Sequence, residues 1–440
     1  MVIQFFQILL SFLLTSLFFF PFELVALPGI NTKMAMSVAG LVLAAYELVR
    51  RKNRSISVEW LVLILCAISV SAASFLAITV NQTPDTTYVS YVVSFAVWLS
   101  AAFVVVWSIR SAHGRVDVEL VLRYLTAVCL VQCISAVLID GHPAWARWVN
   151  ATMDFGQDIA VKVKRLYGLG STLDIAGVRF AAVLTGIGCL LSGLGTRISG
   201  KKELFYIVSF IVITVLGNMI ARTTTVGTGI GLAVILLSLF SSKQTQQEKA
   251  SSMASWLVIL AIAVTACIIL YNTDFRFQKL IRFAFEGFFS LAEKGTWEVG
   301  SNEKLKTMIV WPETLHTWII GDGYFINSRY DPNYLGDATD MGYYMGTDVG
   351  YLRFLFYFGL TGLLPMTGVI VSSAVICARH FGEDAPLFYL VLLAGLVIWL
   401  KVSTDLFCFF ALFLCTTFYD SQSIRHHPLL QGGTLHRAVR

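Results

Sequence analysis

Charge is in short supply in this sequence: 32 Lys and Arg and 27 Asp and Glu make up only 13% of its 440 residues. A soluble globular domain carries roughly 25%, so there is too little polar material here to clothe an exterior against water. Other signals are missing as well. No basic stripe interleaved with aromatics lies on a polar segment, which sets nucleic acid aside as a partner despite the net charge of +5. The eight cysteines (Cys66, Cys129, Cys133, Cys189, Cys267, Cys377, Cys408 and Cys415) fall in or at the ends of apolar stretches. They have neither zinc-type pair spacing nor the loop positions of a disulfide framework, and read as small packing residues. The seven histidines are scattered, with His426 and His427 in the tail, and suggest no metal site. There is no tandem repeat and no low-complexity linker. The stretch from Met1 to Leu27 lacks a basic n-region and carries Pro21 and Glu23 where a cleavage site belongs, so it reads as a retained first helix.

What fills the chain instead is apolar: 57% hydrophobic residues and a mean hydropathy of +0.73. Runs of about 18 to 25 apolar residues, the length that crosses a bilayer, recur almost throughout. The expected fold is therefore all-α, a single polytopic membrane domain over 1–440 with about twelve spans. These are placed near 3–26, 34–49, 58–80, 89–109, 118–139, 174–195, 203–220, 226–241, 254–271, 347–376, 387–401 and 404–419. The last two share the turn Lys401 to Asp405.

Orientation follows from the short loops. With both termini in the cytoplasm, the inside loops hold Arg50 to Arg54, Arg110 to Arg115, Arg197 to Lys202, Lys243 to Lys249, and a tail with Arg425, Arg437 and Arg440. The short outside loops around 31–33 and 81–87 hold almost no positive charge, as the positive-inside rule requires. Two outside segments are long, 140–173 and 272–346. The second lies between spans nine and ten, is expected to hold short helices, and is rich in Trp, Tyr, Gly and charge. A polar ligand would gather there.

Four arginines stand out on that face. Arg179 and Arg353 lie about a turn inside the sixth and tenth spans, Arg222 sits in a very short outside turn, and Arg165 follows a cationic run with Lys162 and Lys164. An arginine near mid-membrane costs at least ~2.5–3.5 kcal/mol, so either it snorkels to the headgroups or it faces a cavity and a partner. A common anionic ligand accounts for all four together. Its group fits phosphate, because a guanidinium offers paired charge-assisted bonds and never loses its proton. Two or three such forks suit a pyrophosphate and its development as a leaving group.

Asp348 and Glu303 are the carboxylates weighed as a general base toward a sugar hydroxyl; Asp348 equally suits a helix cap. Asp348 and Arg353 are five residues apart, which a regular helix does not place on one face. No Asp-x-Asp motif occurs in the outside loops; the nearest pair is Asp337 and Asp340, so metal-independent chemistry is expected, without a cofactor. Trp297, Trp311, Trp318, Tyr324, Tyr330, Tyr334, Tyr343 and Tyr344 suit either sugar faces or the membrane interface. Gly195 to Lys202 has P-loop-like spacing but lacks the final Ser or Thr and follows an apolar helix, so it reads as a basic inside loop. Glu119 and Arg123, spaced i, i+4, read as a local ion pair.

Three stretches carry a resemblance: Arg165 to Ala181; Ala221 to Gly227; and Ile320 to Tyr324 followed by Thr347 to Gly362. Together they resemble the bacterial O-antigen polymerase and O-antigen ligase group of integral membrane glycosyltransferases. The resemblance implies a multi-helix inner-membrane enzyme acting at the periplasmic face without metal or nucleotide sugar. Such an enzyme moves a glycan from undecaprenyl pyrophosphate to an acceptor. By position Arg165 and Arg222 match the family's pyrophosphate-binding arginines. Ligases of the group carry a histidine near the end of the large loop; here Thr347-Asp348 stands there, and His316 lies well upstream. The resemblance therefore leans toward a polymerase, with lipid-linked oligosaccharide, the bilayer and a chain-length regulator protein as partners. The ligase, and a flippase for the same lipid-linked oligosaccharide, are the alternatives; no internal symmetry of the transporter kind is visible.

Overall fold

The computed structural model describes residues 2–50, 58–198, 200–239, 246–326, 343–404 and 406–423. Asp337, Asp340, Tyr330, Tyr334, Asp405, His426, His427 and most of the basic runs after Arg50, around Lys243 and in the tail lie outside the described residues.

Helix α1 (Val2–Phe19) leads into two short strands, β1 (Glu23–Leu24) and β2 (Leu27–Asn31). Then come α2 (Thr32–Arg50), α3 (Val58–Asn81), α4 (Tyr91–His113) and α5 (Val118–Gly141). Shorter pieces follow: α6 (Pro143–Thr152), β3 (Met153–Asp154) and α7 (Gln157–Lys162). Four long helices come next, α8 (Leu173–Ser192), α9 (Lys201–Ile220), α10 (Thr224–Leu239) and α11 (Gln246–Thr273). The segment after α11 folds into α12 (Phe275–Ala284), α13 (Glu286–Lys294), α14 (Gly300–Thr307) and α15 (Leu315–Ile319). The chain closes with α16 (Gly350–His380), α17 (Ala385–Ile398) and α18 (Phe407–Ser423).

The architecture is thus mostly helical, with several long apolar helices. Among the described residues, α1, α3, α4, α5, α8, α9, α16 and the Ala254–Thr273 part of α11 are each long and apolar enough to cross one. In a bilayer the backbone must satisfy itself, which is why apolar runs of this length emerge as helices.

One boundary differs from expectation. The first helix stops at Phe19 instead of continuing to 26, because Pro21 has no N–H to give and disfavours helical geometry at the residue before it. The freed chain becomes β1, paired antiparallel to β2 and to β3, with Glu23 opposite Asp154 and Leu24 opposite Met153. A small three-stranded sheet thereby ties the start of the chain to the segment after α5.

Helix α8 is the axis of the bundle, buried almost continuously from Ala176 to Leu190. Helix α10 lies against it so closely that a Cβ on Gly227 would run into the Ala181 backbone. Small residues permit that approach, as they do generally between membrane helices. The approach brings Thr223, at the start of α10, to Asp174, at the start of α8, where the Thr223 hydroxyl donates to the carboxylate at 3.2 Å.

Helix α16 is broken. Gly359 has φ 61° and ψ −164°, a conformation open essentially to glycine alone. Residues 321–323 dock into the break: the Asp322 N–H donates to the Phe356 carbonyl at 2.6 Å and the Gly323 N–H to Tyr357 at 3.0 Å. The end of α3 holds the same segment, with the Asn81 amide on the Gly321 carbonyl at 2.9 Å and the Thr83 hydroxyl on Gly323 at 2.8 Å. At the opposite end of the bundle, buried Glu119 accepts from Arg123 (3.1 Å), Lys202 (3.0 Å) and Tyr206 (3.0 Å). Asp384 there accepts from the Thr196 N–H and hydroxyl at 2.7 and 3.0 Å. All eight cysteines are free thiols.

Candidate functional site

The broken start of α16, the short turn 221–223 and the helices after α11 meet at one end of the bundle. Arg222 leaves its turn toward α12 and α13. Its Nε donates to the Phe283 carbonyl at 2.9 Å, one Nη to Ser301 Oγ at 3.1 Å, and the other pairs with Glu286 at 2.6 Å. Arg222 also lies over the Phe283 ring at 3.9 Å, and Arg165 lies over the same ring at 4.7 Å. Two guanidiniums on one aromatic ring repel each other: burial first, and then Arg165, push the Arg222 guanidinium below its usual range, against the pull of Glu286.

A third cation belongs to this group. Lys401 stands in the turn between α17 and α18, and that turn abuts the first residues of α16: the Tyr351 N–H donates to the Trp399 carbonyl at 3.2 Å. Burial lowers the Lys401 ammonium below the usual lysine range; Asp174 opposes this, and Arg165 and Arg222 add to it. Neither Arg165 nor Lys401 has a carboxylate within ion-pairing distance among the described residues.

Asp348 lies just before α16. It does not cap the helix: Val349 is the cap residue, with no side-chain cap bond, and its N–H donates to the Thr347 hydroxyl at 3.3 Å. Because Asp348 precedes the first helical turn, the five-residue spacing is no obstacle, and its carboxylate reaches Arg353 at 3.5 Å. Burial pushes the Asp348 carboxyl up to about 6, with Arg353 pulling it down and Asp174 pushing it further up. Arg353 in turn donates to the Phe325 carbonyl at 3.3 Å and lies over the Phe325 and Tyr343 rings at 3.8 and 4.5 Å. Its Nε is buried with no hydrogen-bond partner among the described residues.

Arg179 and Glu303 sit apart. Arg179, buried in α8, lies over Phe19, Phe20 and Trp98 at 5.9, 5.5 and 6.0 Å, rings different from those under the other three arginines among the described residues. Glu303 pairs with Lys306 at 2.8 Å in the exposed first turn of α14. It still lines a polar cavity of about 770 Å³ with Arg222, Arg282, Phe283, Glu286 and Lys294. Of the loop aromatics, Trp311 and Trp318 stack at 6.1 Å and Tyr324 stacks on Tyr344 at 5.3 Å. His316 bonds Asn81 at 2.9 Å.

Lys401, Asp174, Glu286 and Phe283 were not singled out by the sequence reading. For Lys401 a signal existed: a lone lysine in a short polar turn between two apolar helices, on the same side as the arginines by helix alternation. Glu286 and Phe283 carried none, since only the folding of α12 and α13 over the turn at Arg222 brings them in. Among the described residues no three His, Cys, Asp or Glu side chains gather as a metal site. No protein-family model matches the chain, and no curated protein matches it in sequence.

Proposed function

We propose that this protein is an O-antigen-type polymerase. It transfers a growing glycan from undecaprenyl pyrophosphate to a lipid-linked acceptor repeat unit at the periplasmic face of a bacterial inner membrane. On this reading the chain crosses twelve times with both ends cytoplasmic, and the segment 272–346 lies outside. The basic runs at Arg110–Arg115 and Arg197–Lys202, at the end of the bundle away from Arg222, support that orientation.

One observation carries the reading: the Arg165 and Arg222 guanidiniums share the Phe283 ring, and Arg165 has no carboxylate within ion-pairing distance among the described residues. A pyrophosphate diester fills that gap with two negative charges. The acceptor hydroxyl attacks the anomeric carbon, the carbon–oxygen bond to phosphate breaks, and the electron pair leaves with the lipid pyrophosphate. The cations stabilise that developing charge. Asp348 takes the hydroxyl proton. No metal enters the scheme, so activity is expected to survive a chelator.

Because protonated Asp348 cannot accept a proton, transfer is expected to fall as pH drops through an apparent pKa near 6. Asp348→Asn should abolish that limb of the pH–rate profile; a limb unchanged in the variant assigns it to another group. Glu286 holds the fork that the phosphate needs. An ion pair this open to solvent is worth about 0.2–1 kcal/mol, so Glu286→Gln is expected to tighten donor binding by up to about fivefold. Weaker binding in Glu286→Gln would mean the carboxylate positions Arg222 instead of competing for it.

Purified protein incubated with a lipid-pyrophosphate-linked repeat unit tests the function. A ladder of products supports the polymerase. A single transfer to lipid A core makes the protein a ligase, and movement across the membrane without new bonds makes it a flippase.

A further inference from the structure

Asp85 stands in the loop between α3 and α4, and its carboxylate accepts from two pairs of donors. One oxygen takes the Thr87 N–H at 3.1 Å and the Thr87 hydroxyl at 2.5 Å, which holds the loop on itself. The other takes the Phe325 N–H at 2.8 Å and the Ile326 N–H at 3.2 Å, in the segment after α15. The Asp85 carbonyl accepts from the Tyr357 hydroxyl at 2.8 Å, which fixes the loop to α16. No Lys or Arg pairs with Asp85 among the described residues. Its carboxylate therefore serves as an acceptor for backbone N–H groups that have no helix or strand partner.

Both residues that it holds lead to Arg353. The Phe325 carbonyl accepts from Arg353 at 3.3 Å, and the Phe325 ring lies against the guanidinium at 3.8 Å. Ile326 forms an antiparallel bridge with Tyr343, whose ring lies 4.5 Å from the same guanidinium. Tyr88, three residues after Asp85, sets its ring edge-on to Phe325 at 5.1 Å. Asp85 thus fixes both rings on Arg353, and Arg353 is the cation 3.5 Å from Asp348. A carboxylate that only tidied a chain end would have no such path to a charged group.

We infer that Asp85 is a positioning residue for glycan transfer, keeping Arg353 in register with Asp348 by way of Phe325 and Tyr343. The inference rests on the reading of Asp348 as the general base. Burial holds the Asp348 carboxyl up, at about 6, and Asp174 at the start of α8 adds to this. Arg353, and less strongly Lys401 in the turn after α17, pull it down, and the Tyr343 phenol also faces it. With Arg353 loosened the carboxyl rises, so Asp348 is protonated, and unable to accept a proton, up to a higher pH.

The pH–rate profile of transfer, measured for wild type, Asp85→Ala, Asp85→Asn and Asp348→Asn, reads this directly. The acid limb of Asp85→Ala is expected to move up by about one pH unit, the low end of what an arginine neighbour does to a carboxyl. Relative to wild type that is about a tenfold loss near pH 5 and little loss near pH 8. Asp85→Asn keeps an acceptor oxygen in place and loses only the charge, so its limb is expected to stay close to that of wild type. A loss equal at both pH values marks a purely structural role and overturns the inference. So does an Asp85→Asn limb displaced as far as that of Asp85→Ala, which would make the charge of Asp85 the cause.

Should Asp85→Ala not fold, Asp85→Glu takes its place: its carboxylate stands one methylene out of register, and an unmoved limb overturns the inference. A limb that survives Asp348→Asn overturns the general-base reading. A limb lost in Asp348→Asn but unmoved in Asp85→Ala overturns the role of Asp85 alone. Amide exchange needs no turnover: peptides covering 321–326 are expected to exchange at least about tenfold faster at their most protected amides in Asp85→Ala, the worth of a hydrogen bond to a charged acceptor. Wild-type protection there would also overturn the inference.

Discussion

Arg222→Ala is expected to cut glycan transfer by at least about 10²-fold while the purified protein unfolds at the wild-type temperature. Arg222 makes three polar contacts and one ring contact, but all are to α12, α13 and α14 at the rim and none to the bundle core. Its partner Glu286 is 38% exposed, so water can solvate the carboxylate once the guanidinium is gone, and the stability cost stays within about 1 kcal/mol. On the proposed function the loss falls on catalysis, because Arg222 shares the Phe283 ring with Arg165. Arg222→Lys should recover only part of the rate, since a point charge replaces the paired geometry. Thermal unfolding measured beside a transfer assay separates the two effects. Wild-type glycan lengths from both Arg222→Ala and Arg165→Ala would remove the pyrophosphate role.

Gly359→Ala should act in the opposite way, through stability. At φ 61° and ψ −164° a Cβ is strained by about 1–3 kcal/mol, and here it would also run into the Ile319 carbonyl. Gly321, at φ +84°, faces the Tyr357 and Phe358 backbone with only 2.6 Å for a Cβ, so neither chain can step back to make room. The expected cost is on the order of 3 kcal/mol or more. The break in α16 either heals or ejects the 321–323 segment, which releases Phe325 and with it the setting of Arg353. Thermal unfolding in detergent, with proteolysis of the 296–326 segment as a local probe, reads the change. Wild-type stability in Gly359→Ala would mean that α16 does not break at this residue.

The apolar helices were legible in the sequence because lipid imposes a single rule, length and hydrophobicity, on every span. Of the twelve expected segments, eight overlap helices that are long and apolar enough to cross a membrane among the described residues, and α1 stops where Pro21 requires it. The Glu119–Arg123 pair was legible for the same reason, being fixed by helical spacing alone. The site was legible only where the residue's own position speaks: Arg165 and Arg222 flank spans, and they meet. Arg179 carried the same signature of an arginine inside an apolar helix, yet its neighbours are Phe19, Phe20 and Trp98. Sequence spacing cannot tell an aromatic cage from a ligand cavity, because the cage is assembled from α1 and α4. Asp348 was weighed as a general base and equally as a helix cap, and the cap position is taken by Val349 instead. Phe283 and Glu286 were invisible for the converse reason: nothing in an exposed amphipathic segment announces that it folds back over Arg222.

The most direct test of the account is the affinity of the protein in nanodiscs for undecaprenyl pyrophosphate against undecaprenyl monophosphate. If Arg165, Arg222 and Lys401 hold two phosphates as proposed, the pyrophosphate is expected to bind at least about tenfold tighter, the worth of one further charge-assisted bond. The double variant Arg165→Ala, Arg222→Ala should bind the two lipids alike. Equal affinities in the wild type, or a pyrophosphate preference that survives the double variant, would contradict it.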